Sequence, residues 1–225
     1  MTGETVAGKY QVDRLIGTGG MGTVWLGHHQ ALGTPVAIKF IRPAHAAQED
    51  ARKRFEIEAH AAAKLKSRHA VQVYDYGVTD LGIPYIVMEY LEGESLSDLL
   101  IRKGPLPSKE VATIIRQASR ALQKAHDAGI VHRDLKPDNI FLATNVDDLP
   151  EGETYSVKLV DFGIAKIFVE PLTTERTPAA PMGGPTQDGA VIGTPNFMSP
   201  EQLTVGGAPG RLTDLWSLGA CTYAA

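Results

Sequence analysis

The chain has 225 residues, 43% of them apolar, a formal net charge of −4 and one cysteine. That length and composition can bury a substantial core, in one domain or in two lobes. The mild acidity argues against electrostatic binding of nucleic acid, and Cys221 alone excludes an internal disulfide framework and any cysteine-cluster metal site. The N-terminus, MTGETVAGKYQVDRLIG, lacks the basic-then-apolar pattern of a signal peptide, and no apolar run approaches the roughly 20 residues that span a bilayer. The expectation is a cytoplasmic chain with no membrane segment of its own; an anchor would have to follow residue 225.

After a short lead over residues 1–9, residues 10–41 read as strands. YQVDRLIG alternates, TVWLGHH alternates after a glycine turn, and TPVAIKFI is a buried apolar run. Over residues 48–65 the period changes to that of a helix, with Phe55, Ala59, Ala62 and Leu65 recurring among charges. AVQVYDYGV and PYIVMEYL return to strand character around the turn signal TDLGIP. Residues 10–91 therefore form a strand-rich lobe with one prominent helix. From residue 92 the chain turns helical. In SKEVATIIRQASRALQKAHDAG, Val111, Ile114, Ile115, Ala118, Leu122 and Ala125 share a face, and Gly129 is placed to stop the helix. Two short strands, IFLA and VKLVDFG, flank an acidic hairpin insert, TNVDDLPEGETY. Residues 169–190, rich in Pro, Thr, Gly and Ala, read as a long mobile segment within the second lobe.

Three stretches carry chemistry. In GTGGMGTV, Gly17, Gly19 and Gly22 lead into a strand and not into a helix, so a glycine-tipped hairpin fits better than a dinucleotide-binding turn. Without side chains, its backbone N–H groups can approach a triphosphate. In VAIK, Lys39 closes an apolar strand and needs an anion. Glu56 and Glu58 are nearby, and Glu58 lies on the inward stripe with Ala62 and Leu65, where it needs a cation in turn. GIVHRDLKPDNIFL crowds His132, Arg133, Asp134, Lys136, Asp138 and Asn139 between two apolar runs, a grouping suited to handling protons, phosphate and metal together.

In order along the chain, GTGGMGTV, VAIK, Glu58, HRDLKPDN, the DFG of Asp161–Gly163, the GTPNFMSPE of Gly193–Glu201 and the DLWSLG of Asp214–Gly219 resemble the signature set of the eukaryotic-like Ser/Thr protein kinases. GTPNFMSPEQL and DNIFL look most like the bacterial, signalling members. The resemblance implies an α+β bilobal fold, with an antiparallel β N-lobe over residues 10–91 and a mainly helical C-lobe over 92–225. It implies ATP with Mg²⁺, or Mn²⁺ in its place, and transfer of the γ-phosphoryl group to Ser/Thr hydroxyls of protein substrates. Asp134 would accept the hydroxyl proton, Lys136 would neutralise the transferring group, and Asn139 and Asp161 would hold the metal. Lys39, paired with Glu58, would hold the phosphates. Ile16, Gly17, Gly19, Gly22, Val24, Ala37 and Phe141 would enclose the nucleotide, with Met88 as gatekeeper before the hinge residues Glu89 and Leu91. His132 would pack beside Phe162 and not act as the base. Thr173, Thr174, Thr177 and Thr186 would be autophosphorylation sites, with Asp188 supplying a fixed charge opposite Arg133. Lys136 and Thr194 resemble the Ser/Thr-specific members.

A pseudokinase-like nucleotide-binding scaffold is the first alternative, but it would carry damage at the Lys, the HRD Asp or the DFG Asp, and all three stand intact. A small-molecule phosphotransferase should lack Lys136 in this form and the GTPNFMSPE stretch. The family's domain continues with further helices, one of which supplies an Arg to Glu201. The resemblance therefore implies an incomplete C-lobe, and residues 1–225 alone would be an inactive fragment. The last helix, DLWSLGACTYAA, is apolar nearly all round, and Arg211 is expected in the loop before it.

Overall fold

The computed structural model describes residues 2–20, 22–42, 49–146, 149, 152–162, 195–204 and 207–225. They form two compact units: the described residues up to Lys66 with Val71–Leu91, and Ser67–Ala70 with the described residues from Glu92 onward. The segment 169–190, Gly163, Gly193, Thr194 and the four expected phosphorylation sites with Asp188 lie outside the described residues.

The first unit contains β1 (Thr5–Val6), β2 (Tyr10–Gly19), β3 (Gly22–His29), β4 (Pro35–Ile41), α1 (Glu49–Lys64), β5 (Val73–Val78) and β6 (Pro84–Glu89). Among the described residues six strands make one antiparallel sheet in the order β1-β2-β3-β4-β6-β5. Period-two alternation divides its apolar residues between two faces. Val36, Ile38 and Phe40 of β4 pack with Val12, Tyr10, Tyr85 and Val87 on one face. On the other, Ile41, Val73 and Ile86 receive Phe55, Ala59 and Ala62, the helical stripe of α1. Gly82, at φ 76°, turns the β5–β6 hairpin. At the β2–β3 hairpin, Gly22 is demanded by the fold itself: its φ is +151°, and a Cβ there would lie 1.9 Å from the Phe40 carbonyl oxygen.

The second unit contains β7 (Gly93–Ser95), α2 (Leu96–Lys103), α3 (Ser108–Asp127), a 3-10 turn at Pro137–Asn139, β8 (Ile140–Ala143), β9 (Ser156–Leu159), a second 3-10 turn at Pro195–Phe197, α4 (Pro200–Leu203) and α5 (Arg211–Ala224). β7, β8 and β9 form a small antiparallel sheet in that order. Ser95 caps α2: its Oγ accepts from the Asp98 N–H, and the Asp98 carboxylate returns to the Ser95 N–H. α3 buries Ile114, Ala118, Ala121, Leu122 and Ala125, whereas Val111 and Ile115 at the edge of the expected stripe are half-buried. Gly129 follows its end at φ 77°. Arg211 is not in a loop. It is the first residue of α5, because the Gly210 N–H donates to Thr213 Oγ1 at 3.0 Å and starts the helix there. α5 buries Leu218 and Cys221 and leaves Leu215, Trp216 and Tyr223 exposed. No described helix is long and apolar enough to cross a membrane.

Candidate active site

In the first unit, strand register assembles one group of the expected residues. Directly opposed residues in an antiparallel ladder project to the same side. Val24 stands opposite Gly17 on β2 and Lys39 on β4, Ala37 opposite Leu26 and Met88, and Lys39 opposite Ile86. Val24, Ala37, Lys39 and Met88 therefore share the face on which Ile86 packs against α1. Lys39 is only 6% exposed, which an ammonium tolerates only with partners, and both it and Glu58 engage one. Glu58 is half-buried on α1, whereas Glu56, the other carboxylate near Lys39 in sequence, is exposed. Ile16 sits at a bulge of β2, and Gly17 and Gly19 pair across the hairpin with Val24 and Gly22.

These two glycines differ from Gly22. A Cβ at Gly19 would meet nothing within 4 Å, and one at Gly17 only Val24 Cβ at 3.8 Å. Packing within the described residues does not demand glycine at either position. Glu89 ends β6, with its N–H donating to the Gln72 carbonyl at 2.9 Å and its Oε1 accepting from the Gln72 N–H at 2.7 Å. Leu91 is the last described residue of this unit.

In the second unit, the loop between α3 and β8 is held by one buried carboxylate. Asp214 of α5 is fully buried and accepts three donors. The backbone N–H of His132 and that of Arg133 donate to it at 2.8 Å each, and His126 Nε2 donates at 2.7 Å. Arg133 takes a left-handed φ of 62°, and Asp161 one of 59°. Both are non-glycine residues in a sparsely populated region, and such strain persists only where surroundings hold it. Asn139 Nδ2 donates to the Asp134 carbonyl oxygen at 2.7 Å and to its carboxylate at 3.3 Å, and Lys136 Nζ lies 3.7 Å from Asp134 Oδ2. Asp134, Lys136 and Asn139 are thus brought together. Asp161 follows Val160, whose N–H donates to the Asn139 carbonyl at 3.0 Å. Phe141, on β8, is half-buried opposite Ser95 and Lys158.

His132 has no exposure, and its ring lies 4.8 Å from that of Phe162. Its Nε2 donates to the Val160 carbonyl at 3.0 Å, while its Nδ1 accepts from the Asp134 N–H at 3.3 Å. A carbonyl only accepts and a backbone N–H only donates, so this pattern requires the neutral ring. Burial holds its pKa below the ordinary value, outweighing the carboxylates of Asp214, Asp134 and Asp161. His69, whose Nδ1 meets the Val157 carbonyl, is lowered by burial in the same way.

For both histidines the folded pKa lies below the unfolded value of about 6.5. Below that pH the unfolded chain takes up protons that the fold refuses, so stability falls on acidification and is fully present above it. The expected slope is up to about 1.4 kcal/mol per pH unit for each histidine. Urea unfolding between pH 7.5 and 5 measures it, and His132→Phe should flatten the acid limb by about one proton.

Oxygen donors for a hard cation are present. Because Asn139 turns its Nδ2 to Asp134, its side-chain Oδ1 is the group left for a cation, and Asp161 would add a carboxylate. This donor set fits Mg²⁺.

The model of the protein kinase domain matches residues 10–225. The chain belongs to the protein kinase family. It is 39% identical over 221 residues to the serine/threonine-protein kinase pkn3 of Myxococcus xanthus, covering 98% of this chain and 38% of that protein. It is 38% identical over 227 residues to the serine/threonine-protein kinase PknA of Mycobacterium tuberculosis, covering 99% and 48% respectively. A crystal structure of the Mycobacterium tuberculosis PknI kinase domain matches with a TM-score of 0.73 at 28% identity, over 99% of this chain and 75% of that one. The chain thus spans half or less of the length of these curated relatives, and the protein-kinase-like fold expected from the motifs is the fold found.

Several residues of the site were not singled out by sequence. Asp214 was visible only as part of DLWSLG, although a carboxylate opening an apolar helix is itself a signal of a buried partner. His126 and Gln202 gave none. Glu201 Oε1 accepts the Thr213 hydroxyl, which holds its carboxyl below the usual range. Arg211 donates to the His126 carbonyl at 2.7 Å.

Proposed function

We propose that this protein transfers the γ-phosphoryl group of ATP to Ser and Thr hydroxyls of proteins, itself included. The observation that carries this reading is the clustering of Asp134, Lys136 and Asn139 on a loop made rigid by Asp214. Residues 10–91 and 92–225 act as its N-lobe and C-lobe in a cytoplasmic setting.

Asp134 takes the proton of the acceptor hydroxyl as its oxygen bonds to the γ-phosphorus. The bond from that phosphorus to the β-γ bridging oxygen breaks, and ADP leaves with the electron pair. Lys136 offsets charge on the transferring group, so positioning and charge stabilisation supply most of the rate. Asn139 and Asp161 would hold Mg²⁺, which when bound neutralises phosphate charge. Ile16, Val24, Ala37 and Met88 offer the adenine an apolar face, beside the backbone of Glu89 and Leu91. Gly17 and Gly19, which packing leaves free to be larger, stay small so that their N–H groups reach the phosphates. Lys39, kept in place by Glu58, meets the α- and β-phosphates.

The test is incubation of the full-length protein with labelled ATP, Mg²⁺ and a generic protein substrate, followed by phosphoamino-acid analysis. Label on Ser and Thr is expected, and Lys39→Met should lower turnover by roughly 10²-fold or more. Full turnover in that variant would refute the role of Lys39, and absence of transfer by the wild type would refute the reading.

A further inference from the structure

We propose that Gln202 of α4 is a positioning residue for Asp134, acting through the peptide that joins Arg133 to Asp134; this rests on the reading of Asp134 as the base. Gln202 Nε2 donates to the Arg133 carbonyl at 2.8 Å, while the N–H on the other side of the same peptide, that of Asp134, donates to His132 Nδ1 at 3.3 Å. The peptide plane is held from both edges. Its orientation sets ψ of Arg133 and φ of Asp134, and with them the direction in which the Asp134 side chain leaves the backbone. Arg133, at φ 62°, is where that hold is needed, because an L residue left to itself seldom keeps this conformation.

The carboxamide cannot be turned the other way. Its Oε1 accepts from the Ser199 N–H at 3.1 Å, and only one orientation gives both the Ser199 donor and the Arg133 acceptor a partner. Ser199 is fully buried, and the segment before it is tied to α5 by the Ser217 hydroxyl, which donates to the Phe197 carbonyl at 2.7 Å. Gln202 thus joins residues 197–202 to the backbone of the reacting carboxylate.

Gln202 also caps α4 with Ser199, and one substitution separates the two roles. Glu serves the Ser-x-x-Glu cap as well as Gln does. Gln202→Glu keeps the acceptor for Ser199 but sets a carboxylate oxygen against the Arg133 carbonyl, whereas Gln202→Met removes both bonds. kcat, KM for ATP and melting temperature are measured for both variants in the full-length protein, with Asp134→Asn as reference.

The expected result is a kcat lowered about 10- to 100-fold in both variants, with KM for ATP within about twofold. The melting temperature of Gln202→Glu should stay within a few degrees of the wild type and above that of Gln202→Met, which loses the cap as well. Wild-type kcat in Gln202→Glu would overturn the proposal and leave Gln202 a helix cap, as would failure of both variants to fold. An Asp134→Asn protein as active as the wild type would overturn the reading of Asp134 itself.

Discussion

Asp134→Asn is expected to lower kcat by about 10³-fold while leaving ATP affinity within about twofold of the wild type. The size follows from the range for losing a general base, roughly 10²–10⁴. The selectivity follows from the neighbours of Asp134. Its carboxylate faces Asn139 and Lys136, and its backbone N–H is taken by His132. Asn is the same shape, and its side-chain oxygen still accepts from Asn139, so the loop should keep its form with a stability change within about 1 kcal/mol. It has no basic oxygen to take a hydroxyl proton. Phosphate transfer gives kcat, and calorimetric titration with ATP gives the affinity. A parallel fall of affinity and turnover would move Asp134 from proton acceptance to nucleotide binding.

The largest effect on stability is expected at Asp214. Its carboxylate accepts from the His132 N–H, the Arg133 N–H and His126 Nε2, and none of these groups has water as an alternative at a site with no exposure. Asn offers one acceptor oxygen and must turn an NH₂ toward at least one of the three donors. Asp214→Asn should therefore cost about 3–5 kcal/mol, since one or two buried donors are left without an acceptor at roughly 1–3 kcal/mol each, more where the acceptor lost was a charged one. A domain whose net stability is about 5–15 kcal/mol loses much of its margin by such a change. Denaturant unfolding of the full-length protein measures it. A loss below about 1 kcal/mol would mean that these donors find other partners, and that Asp214 does not hold the loop.

Much of this molecule is set by local sequence. The strands of the first unit follow from alternation, and α1 from Phe55, Ala59 and Ala62 recurring at helical spacing. The hairpin at Gly17–Val24 is legible because glycines run directly into an alternating strand, and the cluster of Asp134, Lys136 and Asn139 because they are neighbours in the chain. These features depend on contacts a few residues apart, and periodicity records such contacts directly.

What only the tertiary structure decided lies at longer range. Asp214 reaches His132 and Arg133 across 82 and 81 residues, and Gln202 reaches Arg133 across 69. Nothing in the local pattern of either residue names its partner, since one exposed or capping polar side chain reads like another until the chain path brings a donor to it. The start of α5 at Arg211 was hidden for a related reason, because Thr213 can cap a helix or project from one and only the folded backbone chooses. The residue types of the proposed catalytic cluster belong to the sequence. The hold on Arg133 at its left-handed φ, next to Asp134, belongs to hydrogen bonds from Asp214 and Gln202, which form only once distant segments have excluded water together.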